Sequence, residues 1–576
     1  MPYAPENPLI VQSDRSVLLE VNHPRYEAAR DLLARFAELI KSPEFIHTYQ
    51  ITPLSLWNAA AAGEQADAII AALQQYAKFD IPANLVTDIT DYMSRYGRLR
   101  LLRRDDGTLA LQSDDTLLIA EVWHNKQCRA LLQSCVDDRT LLVDPAARGH
   151  IKQALVQLGF PAEDLAGYVD GATLPVEIRA VTHDGRSFAL RDYQRTSVEV
   201  FYDNGSSRGG SGVIVLPCGA GKTVVGVGVM ARLRTQTLIL CPNTVAVRQW
   251  ISELLDKTTL TPDLIGEYTG EKKEIRPVTI TTYQMLTYRP TRTDSATGAE
   301  TDFPHFGLFN EHNWGLIIYD EVHLLPAPVF RITAEIQARR RLGLTATLVR
   351  EDGRERDVFS LIGPKKYDVP WRDLERQGWI AEARCTELRL GLAPERRMEY
   401  ALAGDTRVQY RIAAENPRKL EVLDYLLQQH RDDNILIIGQ YLEQLNEIAR
   451  LTGAPLITGK TPTQERERLY AAFKRGDERL LIVSKVANFA IDLPDANVAI
   501  QVSGTYGSRQ EEAQRLGRVL RPKADGQPAY FYTLVTRDTR DHDFAANRQR
   551  FLTEQGYHYT ILDADEVLRS AKGVLG

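Results

Sequence analysis

The chain has 576 residues, 44% hydrophobic and 25% charged, with a formal net charge of −6. This is the composition of an ordinary globular protein too long for one core, so three or four domains are expected. The balance excludes a simple basic nucleic-acid clamp. The scattered cysteines (Cys128, Cys135, Cys218, Cys241, Cys385) form no C-x-x-C pair, which argues against zinc or iron–sulfur ligation.

In chain order, residues 1–100 read mainly as a helical domain, because "YEAARDLLARFAELIK" (26–41) and "ADAIIAALQQYAKF" (66–79) repeat apolar residues at helical spacing. Nothing at the N-terminus resembles a signal peptide, so a cytoplasmic location is expected. Strand-like runs ("LALQ", "TLLIAEVW", "TLLVD") and the helical "GHIKQALVQLGF" suggest a small α/β accessory domain over 101–175. Residues 1–170 carry 16 Lys/Arg against 23 Asp/Glu, and the remainder is close to neutral. That acidic region reads as a protein-contact or regulatory module. The turn-rich stretch 167–188 marks a boundary.

From residue 187 short apolar strands alternate with helices in two series: "GVIVLP", "TLILCP", "VTITTY", "GLIIYD" and "RLGLT", then "ILIIGQ", "LLIVSK", "VAIQV" and "YFYTLV". Such alternation predicts an α/β chain with two parallel-sheet domains, at 187–375 and 376–545. A charged, helical insert at 393–415 and a tail at 546–576 complete the division. The most apolar window, around 212–231, contains Lys222 and several glycines, so it is no membrane span.

Three stretches carry chemistry. In "VIVLPCGAGKTVVGVGVMARL" (213–233) a strand, a small-residue loop and a helix follow one another, which aims backbone N–H groups and a helix N-terminus at an anion. Lys222 reaches for outer phosphates there and the Thr223 hydroxyl for Mg²⁺. The usual pattern starts with glycine five residues before Gly221, where this chain has Leu216. In "GLIIYDEVHLL" (315–325) a buried strand ends in Asp320 and Glu321, at the sheet edge where ligands bind in such folds. Asp320 is expected to hold Mg²⁺ and Glu321 to polarise the attacking water. In "SRQEEAQRLGRVLRP" (508–522) Gln514, Arg518 and Arg521 share one helical face, as groups that stabilise a leaving γ-phosphate from a second domain would.

With "LRDYQ" (190–194) and "TAT" (345–347), these motifs form an ordered set that resembles superfamily 2 helicases. "LGLTATLVREDG", "LIGPKKYDVPW" and "VSKVANFAIDLPDANVAIQVSGTYGSRQEEAQRLGRVLRPK" are similar to XPB helicases of nucleotide excision repair, and residues 8–41 are similar to the N-terminal domain of bacterial members. The resemblance implies a motor of two RecA-like domains using ATP and Mg²⁺ to move 3′→5′ on DNA and separate strands at a fork. It assigns Arg191 and Gln194 to adenine, Gly219 and Gly221 to the phosphate loop, Asp492 to ribose or an interdomain contact, and Thr345 and Thr347 to coupling. It also assigns Asn243, Gln249, Thr282 and Gln440 to a DNA strand, Arg350-Glu351-Asp352 to the R-E-D motif, and 393–415 to a helical thumb. A structure-specific nuclease or another repair protein is the implied partner, with no membrane. Ala487-Asn488 departs from the family's glycine-aspartate. The alternatives are a duplex-DNA translocase without sustained unwinding, an RNA helicase, and a scaffold with a vestigial motor. Because every nucleotide motif follows residue 187, residues 1–170 are expected to be dispensable for ATP hydrolysis.

Overall fold

A computed structural model describes residues 4–42, 45–217, 219–288, 304–337, 339–346, 354–369, 374, 377, 383–484, 496–504, 528–554 and 558–574. The chain opens with a four-stranded antiparallel sheet, β1 (Leu9–Val11), β2 (Ser16–Glu20), β3 (Glu38–Lys41) and β4 (Ile46–Gln50), in the order β1-β2-β4-β3. The first hundred residues are therefore mixed rather than mainly helical. Within 26–41 the helix stops at Leu33, a turn follows, and Glu38–Lys41 form β3, whose Leu39 pairs with Tyr49 on β4. Sheet pairing overrides the helical periodicity there.

A second sheet follows: β5 (Leu99–Arg103), β6 (Leu109–Gln112), β7 (Leu132–Asp137), β8 (Thr140–Val143) and β9 (Ala162–Asp164), in the order β7-β8-β6-β5-β9. "TLLIAEVW" is helical, not a strand. Asp115 accepts the N–H groups of Leu117 and Leu118 and caps the helix Thr116–His124, which buries Leu118, Ile119 and Val122 on one side.

The first motor sheet has seven parallel strands: β10 (Ser211–Val215), β11 (Thr237–Cys241), β12 (Ile265–Tyr268), β13 (Val278–Thr282), β14 (Leu316–Asp320), β15 (Arg340–Thr345) and β16 (Lys365–Asp368). Their order is β12-β13-β11-β14-β15-β10-β16. β10, β11, β13 and β14 are buried along their whole length, as strands covered on both faces must be. The carboxyl ends of β10 and β14 flank that of β15, so three loops open onto one edge.

The second motor sheet is also parallel and seven-stranded, with β17 (Ala383–Leu390), β18 (Ile435–Gly439), β19 (Leu456–Ile457), β20 (Leu480–Ser484), β21 (Val498–Gln501), β22 (Ala529–Thr536) and β23 (His558–Asp563) in the order β19-β20-β18-β21-β22-β17-β23. Residues 546–576, expected as a tail, instead supply the end of helix Arg540–Glu554, the strand β23 and the helix Ala564–Val574. The insert is two helices, Pro394–Leu402 and Thr406–Ala414. Asn416 fixes its root: it accepts the Ala393 N–H and donates to the Gly391 carbonyl and the Thr536 hydroxyl.

The N-terminal region is packed against the motor. Rings of Trp57 and Tyr96 lie 6.4 and 6.3 Å from that of Phe359, in a π-helical turn (Val358–Ile362) that precedes β16. Helix Arg148–Leu158 runs so close to helix Ala327–Glu335 that a Cβ on Gly149 would lie 2.4 Å from the Ala334 carbonyl oxygen. Asn58 accepts the Lys365 N–H at 2.9 Å, and helix Arg540–Glu554 touches β3. The region's acidic balance thus coexists with an apolar seat on the first motor domain, built on Trp57, Tyr96, Val156 and Phe359.

Candidate nucleotide site

The loop after β10 begins with Leu216, whose N–H donates to the Thr345 carbonyl at 2.9 Å and so prolongs the ladder to β15. Leu216 is fully buried. The position that is glycine in the usual phosphate loop belongs here to the strand, and its side chain to the core. Gly219 (φ 82°) and Gly221 (φ 79°) supply the left-handed backbone the turn requires. A Cβ on Gly221 would also meet Gln194 Nε2 at 2.7 Å. Helix Lys222–Leu233 starts there, with Thr223 in its first turn.

Across the edge, Lys222 Nζ meets Glu321 Oε1 at 2.5 Å, with both side chains mostly buried. Glu321 itself sits at φ 49°, a strained conformation for a non-glycine residue. Burial works to raise the Glu321 carboxyl, but Lys222 and His323 hold it below the ordinary value. Asp320 is pushed up to about 6, first by burial and then by the Glu321 charge, against the pull of Lys222. Two buried carboxylates sharing one lysine form an acidic donor set that a divalent cation would neutralise, so the residues fit Mg²⁺.

Thr345 is fully buried, and its hydroxyl lies 2.6 Å from His323 Nδ1, which in turn lies 3.5 Å from Glu321 Oε2. The carboxylate, the histidine two residues on and the end of β15 form one chain of contacts. His323 was not singled out from sequence, although the "DEVH" spelling contains it.

Gln194 is 3% exposed and already engaged: Oε1 accepts the Arg191 N–H at 3.0 Å and Nε2 donates to the Ala220 carbonyl at 3.1 Å. The Tyr193 hydroxyl donates to the same carbonyl at 2.7 Å and accepts from Arg191 Nη1. These side chains brace the Gly219–Gly221 loop through the Ala220 carbonyl.

The strand-facing candidates are distributed unevenly. Asn243 caps helix Thr244–Lys257 by accepting the Ala246 N–H, and Thr282 caps Tyr283–Leu286 by accepting that of Met285. Gln249 is exposed on the first of these helices. Gln440, in the second motor domain, donates its backbone N–H to Ser503 Oγ at 2.8 Å. Thr347, Arg350, Glu351, Asp352, Asp492, Gln514, Arg518 and Arg521 lie outside the described residues, as does the Ala487-Asn488 departure.

Two residues missed from sequence touch Asp320: Trp250 Nε1 donates to Oδ2 at 2.9 Å, and the Tyr283 hydroxyl donates to the main-chain carbonyl at 2.8 Å. Each directly follows a candidate in sequence, but only the fold shows where its polar tip goes. No helix among the described residues is long and apolar enough to cross a membrane.

A family model described as "ERCC3/RAD25/XPB C-terminal helicase" matches residues 374–574. "Helicase conserved C-terminal domain" matches 9–137, and "Type III restriction enzyme, res subunit" matches 187–350. The chain is 54% identical to the DNA 3′-5′ helicase XPB of Mycobacterium tuberculosis, over 98% of this chain and 100% of that one. It is 53% identical to the protein of the same name from Kineococcus radiotolerans, over 99% of each. It is 34% identical to the general transcription and DNA repair factor IIH helicase/translocase subunit XPB of Enterocytozoon bieneusi, over 96% of this chain and 92% of the relative. On likeness that runs the length of both chains, joined to a glycine-rich strand–loop–helix, an acidic pair and two parallel sheets, the chain belongs to the XPB family of DNA helicases.

Proposed function

We propose that this chain is an ATP-dependent 3′→5′ DNA helicase of DNA repair, which couples ATP hydrolysis to movement along one strand and separation of a forked duplex. The observation that carries the reading is the meeting of Lys222 and Glu321 at one sheet edge, with Thr345 and His323 beside them. In this reading Lys222 binds the outer phosphates, the loop N–H groups between Gly219 and Thr223 orient them, and Glu321 accepts the proton of the attacking water. Thr223 and Asp320 would hold Mg²⁺, which supplies charge neutralisation at the phosphates when bound. Arg191 and Gln194 frame the adenine side through the phosphate loop. Gln514, Arg518 and Arg521 complete the site from the second domain, and Asp492 contacts ribose or the domain junction. Asn243, Gln249, Thr282 and Gln440 lie along the tracked strand. The acidic balance of residues 1–170 suits a basic face of a repair protein such as a structure-specific nuclease.

The test is ATPase rate with no nucleic acid, single-stranded DNA, duplex, forked DNA and RNA, beside unwinding of forks carrying either a 3′ or a 5′ tail. DNA stimulation with unwinding from the 3′ tail is expected. Stimulation by duplex without unwinding would make the protein a translocase, and stimulation by RNA alone would sink the reading.

Within it, replacing Arg350, Glu351 and Asp352 by alanine is expected to keep ATPase on single-stranded DNA and lose unwinding of a fork. In sequence the three follow Thr345 and Thr347, which the resemblance assigns to coupling, and match no nucleotide contact. Opening a base-pair step costs about 1.4 kcal/mol of stacking, so a rigid, charge-paired element must hold the strands apart. Both activities are measured at one salt concentration, because backbone binding is salt-dependent. Parallel loss of the two would assign the segment to the ATP site.

A further inference from the structure

The strands β13, β11 and β14 are neighbours in that order, and the chain leaves the first two at Thr282 and Cys241 to begin short connections into helices. Both helices send an aromatic residue to the same acceptor. Trp250, 1% exposed, donates its indole N–H to Asp320 Oδ2. Tyr283, 4% exposed, donates its hydroxyl to the Asp320 main-chain oxygen. One bond fixes the carboxylate and the other fixes the backbone that carries it.

The seat of Trp250 is tight on its other side too. A Cβ added at Gly226, on the helix that follows the phosphate loop, would lie 2.5 Å from the indole Cη2. The indole is therefore wedged between the phosphate helix and Asp320. Packed interiors transmit displacement because they have no slack to absorb it. The residues immediately before these aromatics are Gln249, which is exposed, and Thr282, which caps the next helix.

We propose that Trp250 and Tyr283 are positioning residues that carry strand engagement at Gln249 and Thr282 to Asp320, so that DNA binding and nucleotide binding are linked through these two hydrogen bonds. The proposal rests on the reading that Gln249 and Thr282 lie along the DNA strand. Linkage of this kind is reciprocal: whatever factor DNA adds to nucleotide affinity, nucleotide adds to DNA affinity. The two bonds converge on one residue, so their effects are not independent.

The test uses the full-length protein and a non-hydrolysable ATP analogue with Mg²⁺. Affinity for labelled single-stranded DNA is measured with and without the analogue, giving a linkage factor for each variant. In the unsubstituted protein the factor is expected within about 5–150-fold, the usual span of such couplings. Trp250→Phe and Tyr283→Phe are each expected to cut it at least threefold, and the double variant to lose less than the product of the two. DNA affinity without nucleotide should stay within twofold. Tyr283→Phe keeps the ring and drops one hydroxyl, so it decides the matter even where Trp250→Phe fails to fold. A linkage factor unchanged in folded Tyr283→Phe overturns the proposal, as does its absence from the unsubstituted protein. Gln249→Ala separates the two failures. If it leaves DNA affinity untouched, the strand reading fails and the proposal with it. If it weakens DNA binding while Tyr283→Phe keeps full linkage, only the proposal fails.

Discussion

Glu321→Gln is expected to bind ATP and scarcely turn it over. Glutamine keeps the shape of the side chain and removes the carboxylate that accepts a proton, a change that costs about 10²–10⁴ in rate where the residue is the general base. Lys222 and His323 hold the native carboxyl below its ordinary value against burial, so it is charged at neutral pH. The substitution also releases Lys222 from a 2.5 Å ion pair. Nucleotide then no longer competes with Glu321 for the ammonium, and affinity for ATP should hold or rise. Binding of the analogue and single-turnover hydrolysis on the same preparation check both halves. A collapse of ATP affinity with turnover intact would mean that Asp320 and Glu321 have each other's roles. Arg518→Ala and Arg521→Ala give a contrasting signature: rate should fall further than affinity, because a contact made on domain closure is felt mainly in the transition state.

The strands that carry this site were legible because burial on both faces leaves a simple mark: "GVIVLP" and "GLIIYD" are short apolar runs, the first leading into the Gly219–Gly221 loop and the second ending in Asp320. β17 left no such mark. It alternates charges along "ARCTELRL", and Glu387 is fully buried there because Arg389 and the Tyr559 hydroxyl of β23 neutralise and satisfy it. A pairing partner some 170 residues away in sequence gives no local signal. The N-terminal sheet failed for a different reason. Its strands are three to five residues long, too short for a period-two pattern to outweigh the helical spacing around them. In the site itself, residue types announced the lysine, the threonine and the two carboxylates. The bracing of the loop carbonyl at Ala220 by Tyr193 and Gln194, and the donors of Trp250 and Tyr283 to Asp320, depend on which way a helix faces once packed. The helix-capping bonds of Asn243 and Thr282 are likewise visible only once the following helices are in place.

Removing residues 1–170 is now expected to cripple the motor, contrary to what the position of the nucleotide motifs suggests. The deletion takes away Trp57 and Tyr96, which cover Phe359, and the helix whose Gly149 lies on Ala334. It removes Tyr168, over whose ring Arg341 sits at 5.6 Å, and Asn58, which satisfies the N–H of Lys365 at the edge strand β16. Arg341 belongs to β15, the strand that ends in Thr345 beside His323. Loss of cover thus acts on the same strand that is joined to Glu321 through His323. A milder change isolates the effect. Phe359→Ala deletes a ring from this interface, and large-to-small changes of this kind cost about 3 kcal/mol or more. For a domain of this size that lowers the melting temperature by roughly 6–12 °C. The variant keeps every nucleotide-binding residue, so at a temperature where it stays folded its ATPase should remain DNA-stimulated, while the 1–170 deletion should aggregate or melt well below the full chain. Thermal melts and ATPase on the two proteins side by side decide it. A deleted chain that melts with the parent and hydrolyses ATP at the parent's DNA-stimulated rate would show that the apolar seat is dispensable and that the motor stands alone.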